Sequence, residues 1–203
     1  MRECLMIVKC DKTGIEKASK IISKGGVVVF PTDTVYGIGC DPYNKSSVEK
    51  IYQIKKRSKE KPLPILGYSM STINEIVQFD DKSKKIAEVF WPGPLTLVLK
   101  LKDDKLKKIL RVNKIGVRVP NNQCLLDILR DSKFLIGTSA NYSGESSFTN
   151  SKECSEKLKE YDIFVDGGNI SSKGESTILE ISHGELVIHR EGAIRKEEIR
   201  RFF

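Results

Sequence analysis

The chain has 203 residues, 39% hydrophobic and 31% charged, enough apolar matter to bury a core and too much for an intrinsically disordered chain. Lys and Arg number 35 against 27 Asp and Glu, and the resulting +8 favours phosphorylated or polyanionic partners without choosing among them. Five cysteines (4, 10, 40, 124 and 154) without CxxC spacing, beside only His183 and His189, argue against a zinc site and against a disulfide framework; they fit free thiols in a reducing cytoplasm.

The N-terminal MRECLMIVKCDK is interrupted by Lys9, Asp11 and Lys12, so it reads as a first strand and not as a signal peptide. No stretch approaches the ~20 apolar residues that span a bilayer, so the expectation is a soluble, cytoplasmic protein with no membrane partner. Ile15, Ala18, Ile21 and Ile22 recur at helical spacing over Gly14 to Lys24, and Gly25-Gly26 then stops the helix before a buried strand at Val27 to Phe30. Ser46 and Glu49 have the spacing of a capping box, which predicts a helix from Ser46 to Lys56 with a basic end at Lys55-Lys56-Arg57. Strands are predicted at Leu63 to Tyr68, Leu95 to Leu101, Ile115 to Val119, Phe134 to Gly137, Ile163 to Val165, Thr177 to Ile181 and Leu186 to His189. Helices at Asp80 to Phe90, Gln123 to Asp131 and Lys152 to Glu160 alternate with them, which is the pattern of an α/β architecture. No repeat or Pro/Gly/Ser-rich linker divides the chain, and a single domain over 1–203 is expected.

Polar, Gly/Pro-rich segments at the strand ends are where a ligand would collect in such a sheet. In Pro31 to Gly37, Thr32, Asp33 and Thr34 either satisfy their own backbone or present a Thr34 hydroxyl beside Gly37 and Gly39, whose bare Cα atoms let N–H groups approach an anion. Lys55, Arg57 and Lys61 form either a solvated helix end or a phosphate clamp, and no GxxxxGK[ST] accompanies them. Arg118, in the strand-like IGVRVP, calls for a carboxylate if its face is buried. Ser139, Asn141 and Ser143 follow one strand, while Ser176 and Arg190 lie at the ends of two others. Trp91 reads as a packing anchor, and neither histidine is assigned catalytic work.

Taken in order, PTDTVYGIG, KKRSKEKPL, WPGPLTLVL, IGVRVP, TSANYSGESSFT, DGG, GESTILE and HREGAI resemble the YrdC-like family of threonylcarbamoyl-AMP synthases over about 14–194. The resemblance implies a twisted, mixed open α/β sheet flanked by helices around a large concave cavity. It also implies that L-threonine, bicarbonate or CO2, and ATP with Mg2+ yield threonylcarbamoyl-AMP and pyrophosphate. The product would pass to a tRNA threonylcarbamoyl transferase, and the net charge of +8 suits weak tRNA or RNA binding. Residue by residue, the resemblance places Thr34, Arg118, Ser139 and Ser176 around threonine. It places Lys55, Arg57, Lys61, Asn141, Thr149 and Arg190 around ATP, with Lys55 and Arg57 stabilising charge and no metal ligand from the protein. Leu66 stands where many members carry histidine, Thr138 where proline is usual, and Asp33 where glutamate is frequent. The chain resembles the short branch without a C-terminal second domain. The competing readings are an RNA-binding module and carbamoyl adenylation of another substrate, as in the related domain of hydrogenase-maturation proteins.

Overall fold

A computed structural model describes residues 6–203. The first half of the chain runs β1 (Met6–Lys9), α1 (Lys12–Ser23), β2 (Val28–Phe30), β3 (Gly37–Gly39), α2 (Lys45–Ile54), β4 (Ile65–Gly67), α3 (Met70–Ile76), β5 (Val77–Gln78), α4 (Asp81–Phe90) and β6 (Leu95–Leu101). It continues through α5 (Asp104–Leu110), β7 (Lys114–Arg118), α6 (Gln123–Ser132), β8 (Phe134–Ile136), β9 (Thr138–Ser139), α7 (Ser151–Lys157), β10 (Ile163–Asp166), β11 (Thr177–Ser182), β12 (Glu185–Arg190) and α8 (Lys196–Arg200).

The strands make two mixed sheets where one was expected. The smaller has the order β1-β10-β2-β3-β9; the larger has the order β12-β11-β6-β7-β4-β8, with β5 on the edge of β6. The chain crosses between them three times, after β3, after β8 and after β10, the second time at Gly137. Here the sheets almost touch: Ile136 donates its N–H to the Cys40 carbonyl at 2.9 Å, and a Cβ on Gly39 would lie 2.0 Å from the Ile136 carbonyl oxygen. Gly39 is therefore a packing glycine at a sheet junction, not an anion-binding one.

Local chemistry explains the helix starts. Asp11, Asn44, Ser69, Asp80, Asp103, Asn122 and Asn150 each accept a backbone N–H three residues on, and a cap of this kind is typically worth ~1 kcal/mol. At α2 the cap is Asn44 and the Ser46–Glu49 box is not used; Ser46 instead hydrogen-bonds to the Asn44 side chain. Asn44 can satisfy the Ser47 N–H itself, so the helix begins one residue earlier. Helix α7 ends at Lys157, short of the predicted Glu160, because Leu158 turns extended (φ −81°, ψ 138°) and its side chain enters the core.

Helices α1 and α6 cover the smaller sheet through Ala18, Ile22, Ile128 and Leu129, packed with Val28 and Phe30. On the larger sheet, β6 turns Leu95, Leu97, Leu99 and Leu101 into the main core, which leaves Thr96 and Val98 on its other face by strand alternation.

One cysteine expectation is corrected. Cys10, just after β1, and Cys124, in the first turn of α6, are joined by a disulfide across a sequence separation of 114. Spacing in sequence could not show it, since the pair is brought together only by α1 packing beside α6. Cys40 and Cys154 are buried free thiols, and Cys4 lies outside the described residues. No helix among the described residues is long and apolar enough to cross a membrane.

Candidate active site

The polar face of the larger sheet is the floor of a cavity of about 380 Å³. Strand alternation selects the floor residues: Thr96 and Val98 from β6, Lys114, Gly116 and Arg118 from β7, and Ile178 and Glu180 from β11. Gly116 keeps the floor low, since a Cβ there would stand 3.0 Å from the Thr96 methyl. The turn between the antiparallel strands β2 and β3 forms one wall, and β9, which pairs with β3, continues it.

In that turn Thr32 does the local work: its hydroxyl accepts from the Thr34 and Val35 N–H groups at 2.9 and 3.1 Å and donates to the Val35 carbonyl at 2.7 Å. The expectation that the turn satisfies itself holds for Thr32. Thr34 instead lines the cavity and accepts from Arg118 Nη1 at 3.1 Å.

Arg118 is 6% exposed and its buried-face reading holds, but its carboxylate is found within the chain. Nη2 meets Asp33 Oδ1 at 2.6 Å and Nε donates to the Gly93 carbonyl at 2.9 Å. Burial pushes the guanidinium pKa down and Asp33 opposes that. These bonds use three of the five N–H donors of a guanidinium, so two remain for a ligand. The other Asp33 oxygen, Oδ2, is buried and has no hydrogen-bond partner.

Lys55 is 1% exposed at the end of α2. Its ammonium donates to the Ser139 carbonyl, to the Asn141 carbonyl at 2.7 Å and to Asn141 Oδ1 at 3.2 Å, while its own carbonyl accepts from the Ser143 N–H at 2.8 Å. Desolvation and the nearby Arg57 lower its pKa to about 8. Asn141 completes the loop by donating to the Glu145 carbonyl at 2.6 Å. Arg57 folds back onto the Lys61 and Pro62 carbonyls at 3.0 and 3.2 Å and borders the cavity.

Ser176 bonds Thr96 Oγ1 at 3.0 Å and accepts from Arg190 Nη2 at 3.0 Å, and Arg190 Nε reaches the Ser176 carbonyl at 3.0 Å. Thr177 locks this corner: its fully buried hydroxyl accepts from Gly192 and Ile194 N–H groups and donates to the Ile194 carbonyl.

Of the residues singled out in the sequence, Thr34, Arg57, Arg118, Ser139, Ser176 and Arg190 line one cavity. Lys55 and Asn141 lie behind its wall, while the Lys61 and Thr149 side chains are exposed outside it. Leu66 lines the cavity and packs against the bare Cα of Gly137. Trp91 is a packing residue, edge-on to Phe79 and bonded to the Leu95 carbonyl at 2.7 Å. Sequence reasoning passed over Glu175 and the chain Lys114–Glu180–His189, joined at 2.6 and 2.9 Å along the floor. The period-two spacing of Ser176, Ile178 and Glu180 was the signal available for the last. Among the described residues no group of three His, Cys, Asp or Glu could hold a metal ion.

Comparison with known proteins gives the family. Residues 20–192 match the Sua5/YciO/YrdC family model, described as telomere recombination. A Methanocaldococcus jannaschii protein named "Putative threonylcarbamoyl-AMP synthase" is 36% identical over 193 residues, 94% of this chain and 91% of its own length. A Bacillus subtilis protein named threonylcarbamoyl-AMP synthase is 34% identical over 190 residues, 91% of this chain, which spans only 55% of that relative. Among solved structures, P. abyssi Sua5 complexed with L-threonine matches at a TM-score of 0.90 and 28% identity, covering 98% of this chain and 60% of the other.

Proposed function

Because the chain belongs to the Sua5/YciO/YrdC family, we propose that it is a threonylcarbamoyl-AMP synthase, converting L-threonine, bicarbonate and ATP to threonylcarbamoyl-AMP, pyrophosphate and water. The observation that carries this reading is the convergence, in one cavity, of a buried arginine flanked by hydroxyls with two further arginines on another side.

The threonine carboxylate takes the two spare N–H groups of Arg118, and Thr34, Ser139 and Ser176 offer hydroxyls to its polar groups. Arg57 and Arg190 face the ATP phosphates, whereas the assignment of Lys61, Asn141 and Thr149 to ATP rests on the family resemblance alone, since none of the three lines the cavity. Lys55 acts through position as well as charge, since its ammonium holds Ser139 and Asn141 in place. Mg2+ would travel with the triphosphate and neutralise phosphate charge. The threonine amine condenses with bicarbonate, forming the N–C bond and losing water, to give a carbamate, whose oxygen attacks the α-phosphorus as pyrophosphate leaves. No protein nucleophile is required, so the chain's share is orientation and charge stabilisation. The adenylate then passes to a transferase that carries the threonylcarbamoyl group to tRNA.

Carbon-labelled bicarbonate tests the reaction class. The label is expected in an adenylate that forms only with ATP and threonine together. Label-free AMP, or retention of structured RNA without turnover, would refute the synthase.

A further inference from the structure

Glu175 ends the loop before β11, in Gly174-Glu175-Ser176-Thr177, and its carboxylate is shared between two segments of the cavity rim. One oxygen accepts from Arg190 Nη1 and the other from the Ser147 hydroxyl, in the loop between β9 and α7. Arg190 and Glu175 keep 39% and 30% of their side-chain surface exposed, so a ligand can reach the pair. The same carboxylate is a counter-charge for Arg57 and Lys55, while Arg190 and Arg57 repel each other. Glu175 is thus the internal anion of a cluster of three cations, Lys55, Arg57 and Arg190.

Of the five N–H groups of Arg190 two go to Ser176 and one, from Nη1, to Glu175; a carboxylate and a phosphate engage a guanidinium in the same way, so a phosphate that grips Arg190 through that N–H competes with Glu175 for it. A triphosphate entering the cluster must also overcome repulsion from a fixed negative charge. We propose that Glu175 is a built-in placeholder for a nucleotide phosphate: it occupies Arg190 in the empty cavity, and the nucleotide displaces it, freeing Ser147 and its loop. This rests on the reading of the cavity as an ATP site. The sign is the diagnostic feature. Removing a placeholder tightens polyphosphate binding, whereas removing a residue that positions the nucleotide or its metal weakens it.

The test titrates ATP and inorganic tripolyphosphate separately into the wild-type chain, Glu175→Gln and Glu175→Ala, with a melting curve to show that each is folded. The two variants remove the charge with and without the side chain's shape. Both are expected to bind both ligands roughly three- to tenfold tighter, the size of effect that a partly exposed ion pair supports. The gain should shrink in ~0.5 M salt. Unchanged or weaker binding in the folded variants, or no binding by any of the three proteins, overturns the placeholder. Tighter binding without any threonine-dependent adenylate would leave the placeholder standing and remove the synthase; adenylate formation without tightening would do the reverse.

Discussion

Replacing Arg118 with alanine is expected to lower folding stability by about 3–5 kcal/mol and to raise the threonine KM by at least ~30-fold, while ATP binding survives. The stability loss comes from Asp33. With Arg118 gone, Oδ1 joins Oδ2 as an unpartnered carboxylate oxygen under the β2–β3 turn, and Gly93 and Thr34 each lose a donor. Breaking a buried ion pair from one side is far costlier than replacing both partners, so Asp33→Leu with Arg118→Met should regain most of the melting temperature. It should not regain threonine use, because no guanidinium remains for the substrate carboxylate. Recovery of threonine-dependent turnover in the double variant, or equal loss of ATP binding in the single one, would remove Arg118 from the threonine site.

Lys55→Met is expected to cost ~3 kcal/mol of stability and at least ~100-fold in turnover, although Lys55 does not line the cavity. Methionine fills the space yet leaves the Asn141 carbonyl and Asn141 Oδ1 without the lysine's donors, and the Ser139 carbonyl with only the Asn141 N–H. Those residues carry one cavity wall and the loop that bears Ser147, so the damage spreads to both substrates. The lysine also gives ATP binding a pH dependence. Its pKa stands at about 8, lowered first by burial and then by Arg57. Bound polyphosphate stabilises the ammonium, so ATP affinity should fall as pH rises through about 8 in the wild type and stay flat over that range in Lys55→Met. Calorimetric titration at a series of pH values, without threonine, measures this directly; a flat wild-type profile would show that the Lys55 charge does not reach the phosphates.

The parts of the fold that sequence made legible are those whose signal is local. β6 carries the predicted limits, Leu95 to Leu101, because its alternating leucines bury one face over seven residues. Helices α1, α4 and α6 were visible through periodicity, whereas the short α3, α5 and α8 and the two-residue strands β5 and β9 carry too few residues for a period to show. The division into two sheets was invisible, since it depends on which strands pair after the chain crosses over following β3, β8 and β10, and on how near Gly39 comes to Ile136.

At the site, residue types were readable and their partners were not. Arg118 announced a need for a carboxylate, and only the fold shows that Asp33, 85 residues away, already supplies one. The Lys55 to Lys61 cluster read as either a solvated helix end or one clamp, but Lys55 turns inward and the Lys61 side chain outward, leaving Arg57 as the member of the three that lines the cavity. His189 was set aside and lies on the floor beside Glu180, because a single histidine in a strand gives no hint of its neighbour across the hairpin.

Pyrophosphate release from ATP and bicarbonate, with threonine present, omitted, or replaced by serine or valine, tests the central claim most directly. Release should require an amino acid, be fastest with threonine, persist more slowly with serine, whose missing methyl forfeits only ~1–3 kcal/mol, and approach the blank with valine. Release that ignores the amino acid, or none above the blank from folded protein with ATP bound, would contradict the account.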